Sequence, residues 1–122
     1  MATPASSTGS TVLDDLAEVI GEEAAFALAA EFMGERVYIP KNPEVEPRIE
    51  HAIGPENAAL LCDAFWRTII AMPTKVVIER KVVVLAAQGV TKREIARRLK
   101  IRQARVFAIL QRQRADNQLS LF

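Results

Sequence analysis

The sequence predicts a mainly α fold: a tandem helix–helix–short-strand repeat followed by a C-terminal helix-turn-helix, with a small two-stranded sheet. Three observations carry this reading. Residues 16–40 align without gaps on residues 49–73, at an offset of 33. A threonine-capped segment from Lys92 to Ile109 spaces its apolar residues as two tightly crossing helices require. The charge is also divided: residues 1–72 hold four basic and twelve acidic side chains, residues 73–122 twelve basic and three acidic. A formal net charge of +1 conceals that split.

Residues 1–10 (MATPASSTGS) are small, polar and rich in Pro, Gly, Ser and Thr, and are read as a disordered tail. The repeat domain spans 11–73. Identities between its copies fall at Ile20/Ile53, Gly21/Gly54, Glu23/Glu56, Ala25/Ala58, Leu28/Leu61, Phe32/Phe65 and Pro40/Pro73. In each copy a short helix ends at a glycine free to take a positive φ. A second helix opens with Glu22 and Glu23, or with Pro55 and Glu56, residues favoured at a helix N-terminus. Apolar residues at 25, 28, 29 and 32, and at 58, 61, 62 and 65, keep one face of a 3.6-residue period. Cys62 and Trp66, on or beside that stripe, are expected in the core, and His51 at the surface. Short β-branched runs follow at 36–39 and 68–71, each stopped by a proline. Strands this short must pair with each other or with a partner chain.

Residues 74–114 form the expected DNA-binding domain. Ile78, Val82 and Leu85 share one face of a helix over 75–88 that Gly89 can end, although the valine runs also admit a strand. Thr91 and Glu94 form a capping box that opens the helix KREIARRL, and a second helix begins at Arg102. Ile95, Ala96, Leu99, Ile101, Val106 and Ile109 occupy the apolar and small positions of a helix-turn-helix. Lys100 stands in the turn where glycine is usual, because that position favours a left-handed backbone. Docked N-terminus first in the major groove, the second helix would bring Arg102, Gln103, Arg105 and Ala108 to base edges. Lys92, Arg93, Arg97, Arg98 and Arg112 would meet phosphates, with Arg114 extending the track. The bland alternatives are a solvated basic surface and a helical hairpin that serves only for packing.

Enzyme chemistry finds little support. The only cysteine, Cys62, and the only histidine, His51, supply no zinc ligand set, and a lone cysteine fits a reducing compartment. The glutamates are spaced as solvated helix faces, and neither a Gly-rich phosphate loop nor a G-x-S-x-G is present. No catalytic residue, metal or cofactor is expected. No apolar run approaches the roughly 20 residues that span a bilayer, and the N-terminus lacks the charged and apolar regions of a secretory signal. The expectation is a protein of the bacterial cytoplasm with no membrane partner.

The segment Gly34-Glu35-Arg36-Val37-Tyr38-Ile39-Pro40-Lys41, together with TKREIARRLKIRQARVFAIL, resembles the Mor-type transcription activators of transposable phages. The resemblance covers roughly residues 16–41 and 75–114. It implies a helical N-terminal region whose short strand makes an intertwined homodimer, a helix-turn-helix on double-stranded DNA, and host RNA polymerase as a further partner. The second copy of the repeat departs from that pattern.

Residues 115–122 are read as a separate C-terminal tail. Within it Gln118-Leu119-Ser120-Leu121-Phe122 matches the pentapeptide by which bacterial proteins bind the DNA polymerase III β sliding clamp. Its bland alternative is an amphipathic end packed on the domain. The combined expectation is a sequence-specific, DNA-binding transcription regulator that also docks on the clamp. The alternative is a replication-associated adaptor of the clamp that uses DNA binding only to stay nearby.

Overall fold

The structure, a computed structural model, describes residues 10–120, with side chains through Ala115. It is mainly α with one small antiparallel sheet, as expected, and divides into two compact units between Val77 and Ile78. The expected boundary, at 73/74, lies a few residues earlier. Val77 belongs to the core of the first unit, which moves the division into a helix. The expected tail lies outside the described residues except for Ser10, whose Oγ accepts from the Leu13 N–H at 3.3 Å and caps the first helix.

Helix α1 (Thr11–Ile20) buries Leu13, Leu16 and Ile20 and ends at Gly21, whose φ of 89° sends its N–H back to the Ala17 carbonyl. The same glycine opens α2 (Glu22–Glu31), with Glu22 and Glu23 at its positive end. Strand β1 (Arg36–Tyr38) follows, then a 3-10 turn at Pro43–Val45 capped by Asn42, whose Oδ1 accepts from the Glu44 N–H at 3.0 Å. Helix α3 (Pro47–Phe65) corresponds to the two helices expected of the second copy. They run on through one kink at Gly54 (φ 86°), and Pro55 starts the second segment. Strand β2 (Ile69–Ala71) ends the repeat.

The strands pair within the chain, which resolves the choice left open by their length. Arg36 faces Ala71, Val37 faces Ile70 and Tyr38 faces Ile69. The ladder extends through Met72 N–H to Glu35 carbonyl and Ile39 N–H to Thr68 carbonyl, each 2.9 Å. Val37 and Ile70 are also equivalent residues of the two copies. Equivalent strands crossing antiparallel at an equivalent pair are related by a local two-fold through it. One chain thus makes internally the pairing that two subunits would make in a dimer.

Packing respects the same symmetry. Leu16/Ile49, Ile20/Ile53, Ala25/Ala58, Leu28/Leu61, Ala29/Cys62, Val37/Ile70 and Ile39/Met72 are equivalent pairs in which both members are buried in one cluster. Burial pushes the Cys62 thiol pKa up. Phe32 is buried, whereas its counterpart Phe65 is half-buried. The expectation for Trp66 fails: it is 41% exposed. It stands one residue past the end of α3, in a turn that carries it out of the apolar stripe.

The second unit contains most of α4 (Lys75–Ala87), then α5 (Lys92–Leu99) and α6 (Gln103–Ser120). Residues 75–87 form a helix and not a strand, and the Val90 N–H turns back to the Leu85 carbonyl at Gly89 (φ 88°). The core of this unit holds Ile78, Val82, Ile95, Ala96, Val106 and Ile109. No helix of the described residues is long and apolar enough to cross a membrane.

Candidate nucleic-acid interface

The Thr91 Oγ1 accepts from the Glu94 N–H at 3.2 Å and starts α5. The reciprocal half of the expected capping box is absent, because the Glu94 carboxylate turns forward to Arg97 and Arg98. At the other end of α5, Lys100 adopts the left-handed conformation (φ 58°, ψ 44°) that its place in the turn demands. It does so without being glycine, which costs about 1 kcal/mol. The N–H groups of Lys100 and Ile101 both bond the Ala96 carbonyl, which makes the reversal tight. Arg102 then caps α6 with its carbonyl, accepting from Arg105 and Val106 at 3.0 and 3.2 Å, so the helix itself starts at Gln103 and not at Arg102.

Of the six apolar positions expected between the helices, Ile95, Ala96, Val106 and Ile109 are buried, while Leu99 and Ile101 are half-buried. With that face turned inward, Arg102, Gln103, Arg105, Phe107 and Ala108 are exposed. Arg102 and Arg105 have no carboxylate partner among the described residues. Lys92, from α5, lies with its Nζ 5.7 Å from the Phe107 ring centroid, which brings the start of α5 beside the exposed face of α6.

The phosphate set is not uniform. Lys92 and Arg93 are exposed and carry no carboxylate partner among the described residues. Arg97 and Arg98 share Glu94: Arg97 Nε bonds Oε1 at 3.0 Å, its Nη2 bonds Oε2, and Arg98 Nε bonds Oε2 at 2.9 Å. Hydrogen bonds from Arg97 first, then Arg98, pull the Glu94 carboxyl pKa down to about 2. Arg112 lies 3.5 Å from Glu79. Glu79 and Glu94, two of the three acids in the basic half, therefore both sit on arginines expected to meet phosphate.

The segment expected to be a separate tail begins as helix. Residues 115–120 hold neither proline nor glycine, and Ala, Gln and Leu propagate a helix readily, so α6 reaches Ser120. The side chains of Gln118, Leu119 and Ser120, and all of Leu121 and Phe122, lie outside the described residues.

Sequence reasoning missed a second cluster, in the first unit. Trp66 is exposed between Lys41, whose Nζ is 5.4 Å from its ring centroid, and Arg67, whose guanidinium carbon is 5.0 Å away. A signal was present: the offset of 33 pairs Arg67 with Gly34, so an arginine stands at the turn position where the other copy has glycine.

No family model, curated protein or solved structure matches this chain.

Proposed function

We propose that the protein is a sequence-specific DNA-binding regulator of transcription, of the type that the Mor resemblance implies, which reads the major groove with the start of α6. The supporting observation is the exposed row Arg102, Gln103 and Arg105, presented at a helix N-terminus directly after a tight left-handed turn. Arginine suits guanine and glutamine suits adenine, while Lys92 and Arg93 anchor the backbone without reading it. The last five residues add a docking peptide for the β sliding clamp.

Binding-site selection from a random duplex pool tests the reading. The protein enriches a short motif, and Arg105→Ala relaxes one or two positions of it at a cost of about 1–3 kcal/mol. Arg93→Ala weakens all sequences alike. A pool that stays unenriched, or variants that act identically on specific and random DNA, would refute the groove assignment.

A further inference from the structure

The outer face of the sheet carries a charge opposite to that of the unit that bears it. Residues 1–72 hold four basic side chains among twelve acidic ones. Arg48 is neutralised by Glu31 and Glu35 at 3.1 and 3.0 Å. The other three, Arg36, Lys41 and Arg67, have no carboxylate partner among the described residues, and all three belong to β1, β2 or their flanks. Period-two alternation puts Arg36 and Tyr38 of β1 on the exposed face with Ile69 and Ala71 of β2, and the exposed Arg67 stands in the turn that leads into β2. Tyr38 is 54% exposed, and Ile69, its partner across the ladder, 56%. Beyond them lies Trp66 with Lys41 and Arg67 over its ring.

The internal repeat supplies the control. In the first copy the Glu35 N–H closes a turn onto the Phe32 carbonyl, with Gly34 at φ 79°. In the second the Thr68 N–H closes the same turn onto the Phe65 carbonyl, with Arg67 at φ 68°. Trp66 (φ −57°, ψ 146°) and Arg67 are the central residues of a type II turn, whose third position favours glycine. The second copy thus holds an arginine where the backbone prefers glycine, and a tryptophan where the first copy has Met33. Both replacements are exposed beside the sheet, with the Arg67 guanidinium over the Trp66 ring.

We propose that this face is a stacking platform for single-stranded nucleic acid, with Trp66 and Tyr38 taking bases and Arg36, Lys41 and Arg67 meeting phosphates. Exposed aromatic rings interleaved with cations suit a ligand that is anionic along its backbone and flat in its side groups. A second copy of the chain is disfavoured, because face-to-face docking doubles the same positive charge. An acidic peptide lacks the flat groups that two exposed aromatic rings accept. The helix-turn-helix reading is independent of this one.

Trp66 is the only tryptophan in the chain, so its emission reports on this face alone. A homothymidine oligomer of about twelve nucleotides, titrated into the full chain, is expected to quench it saturably. The salt dependence should have a slope of about −2, as three cations on single-stranded phosphates imply. Tyr38→Ala is expected to weaken the binding about tenfold. Arg67→Gly is expected to weaken it and flatten the salt slope; because glycine suits this turn, the loss cannot be attributed to misfolding. A chain with both Arg102→Ala and Arg105→Ala should quench as the parent does, which separates this face from the reading helix. The proposal is overturned if the oligomer leaves the emission unchanged, or if quenching survives Tyr38→Ala and Arg67→Gly undiminished. Equal quenching by a duplex of the same length, or quenching by a polyglutamate peptide and not by the oligomer, overturns it too.

Discussion

Glu94 does two jobs with one residue. Its N–H completes the Thr91 cap, and its carboxylate holds the side chains of Arg97 and Arg98 along α5. If those arginines meet phosphate as proposed, Glu94 would compete with DNA for them. Glu94→Gln removes the competing charge and keeps the shape. We expect it to strengthen binding to specific and random duplexes alike, on the order of threefold, because exposed pairs of this kind are weak. Titration by carboxyl-carbon NMR checks the pairing independently. A carboxyl held at about 2 in the fold, below its ordinary 4.5, contributes stability that is fully present above the ordinary value. That contribution is lost as pH falls through about 2. An unshifted Glu94, or a Glu94→Gln chain that discriminates sequences better while binding random DNA no more tightly, would refute the competition.

Among the elements, the two strands join the copies through backbone hydrogen bonds, as the helices join them through one shared core. Ile39 is fully buried and Ile70 nearly so, on opposite strands of the same small ladder. Ile39→Asp and Ile70→Asp each bury an unpaired carboxylate there, at an expected cost of about 3–5 kcal/mol in chemical denaturation. If Ile70→Asp were harmless, the second copy would not share the core as an equal. Helix α6 sets the other element-scale expectation. The proposed clamp docking would need Gln118 at the mouth of a groove and the leucines and phenylalanine in apolar pockets, yet the helix still runs through Ser120. Such docking would unwind its last turn, so a free peptide of residues 113–122 is expected to bind the clamp at least as tightly as the full chain, in the micromolar range. Deleting Leu121 and Phe122 should abolish clamp binding and spare DNA binding. Calorimetry on peptide and truncated chain decides the matter, and a peptide giving no heat would sink the clamp reading.

For the molecule as a whole, the internal two-fold changes what it should recognise. Regulators that dimerise carry two helix-turn-helix units and read two half-sites. Here both copies of the pairing unit lie in one chain, followed by a single helix-turn-helix. The expected complex is one chain on one asymmetric site, with binding that falls steeply as salt rises because the basic half supplies most of the attraction. Sedimentation of the protein–DNA complex measures the stoichiometry directly, and a two-to-one complex on a palindrome would overturn it.

Much of this architecture was legible because its signals are local. The helix ends at Gly21 and Gly89, the Thr91 cap and the left-handed demand at Lys100 each depend on a few neighbouring residues, and the repeat shows itself when 16–40 is laid on 49–73. The apolar spacing of 95–109 likewise announces a helix-turn-helix before any packing is known. The partner of each strand was not legible, since a four-residue β-branched run pairs equally well with its own copy or with another chain. Nor was the exposure of Trp66, because periodicity ends where the helix ends and the turn after Phe65 decides which way the ring leaves. The engagement of Arg112 by Glu79, 33 residues away, was not legible either, whereas Glu94 keeps the i,i+3 and i,i+4 spacing of helix ion pairs with Arg97 and Arg98. By itself the sequence determined which segments form helices and turns, through short-range periodicity and capping. Tertiary structure alone decided what those segments face, because strand pairing, burial and the Arg112–Glu79 pair depend on contacts between residues far apart in the chain.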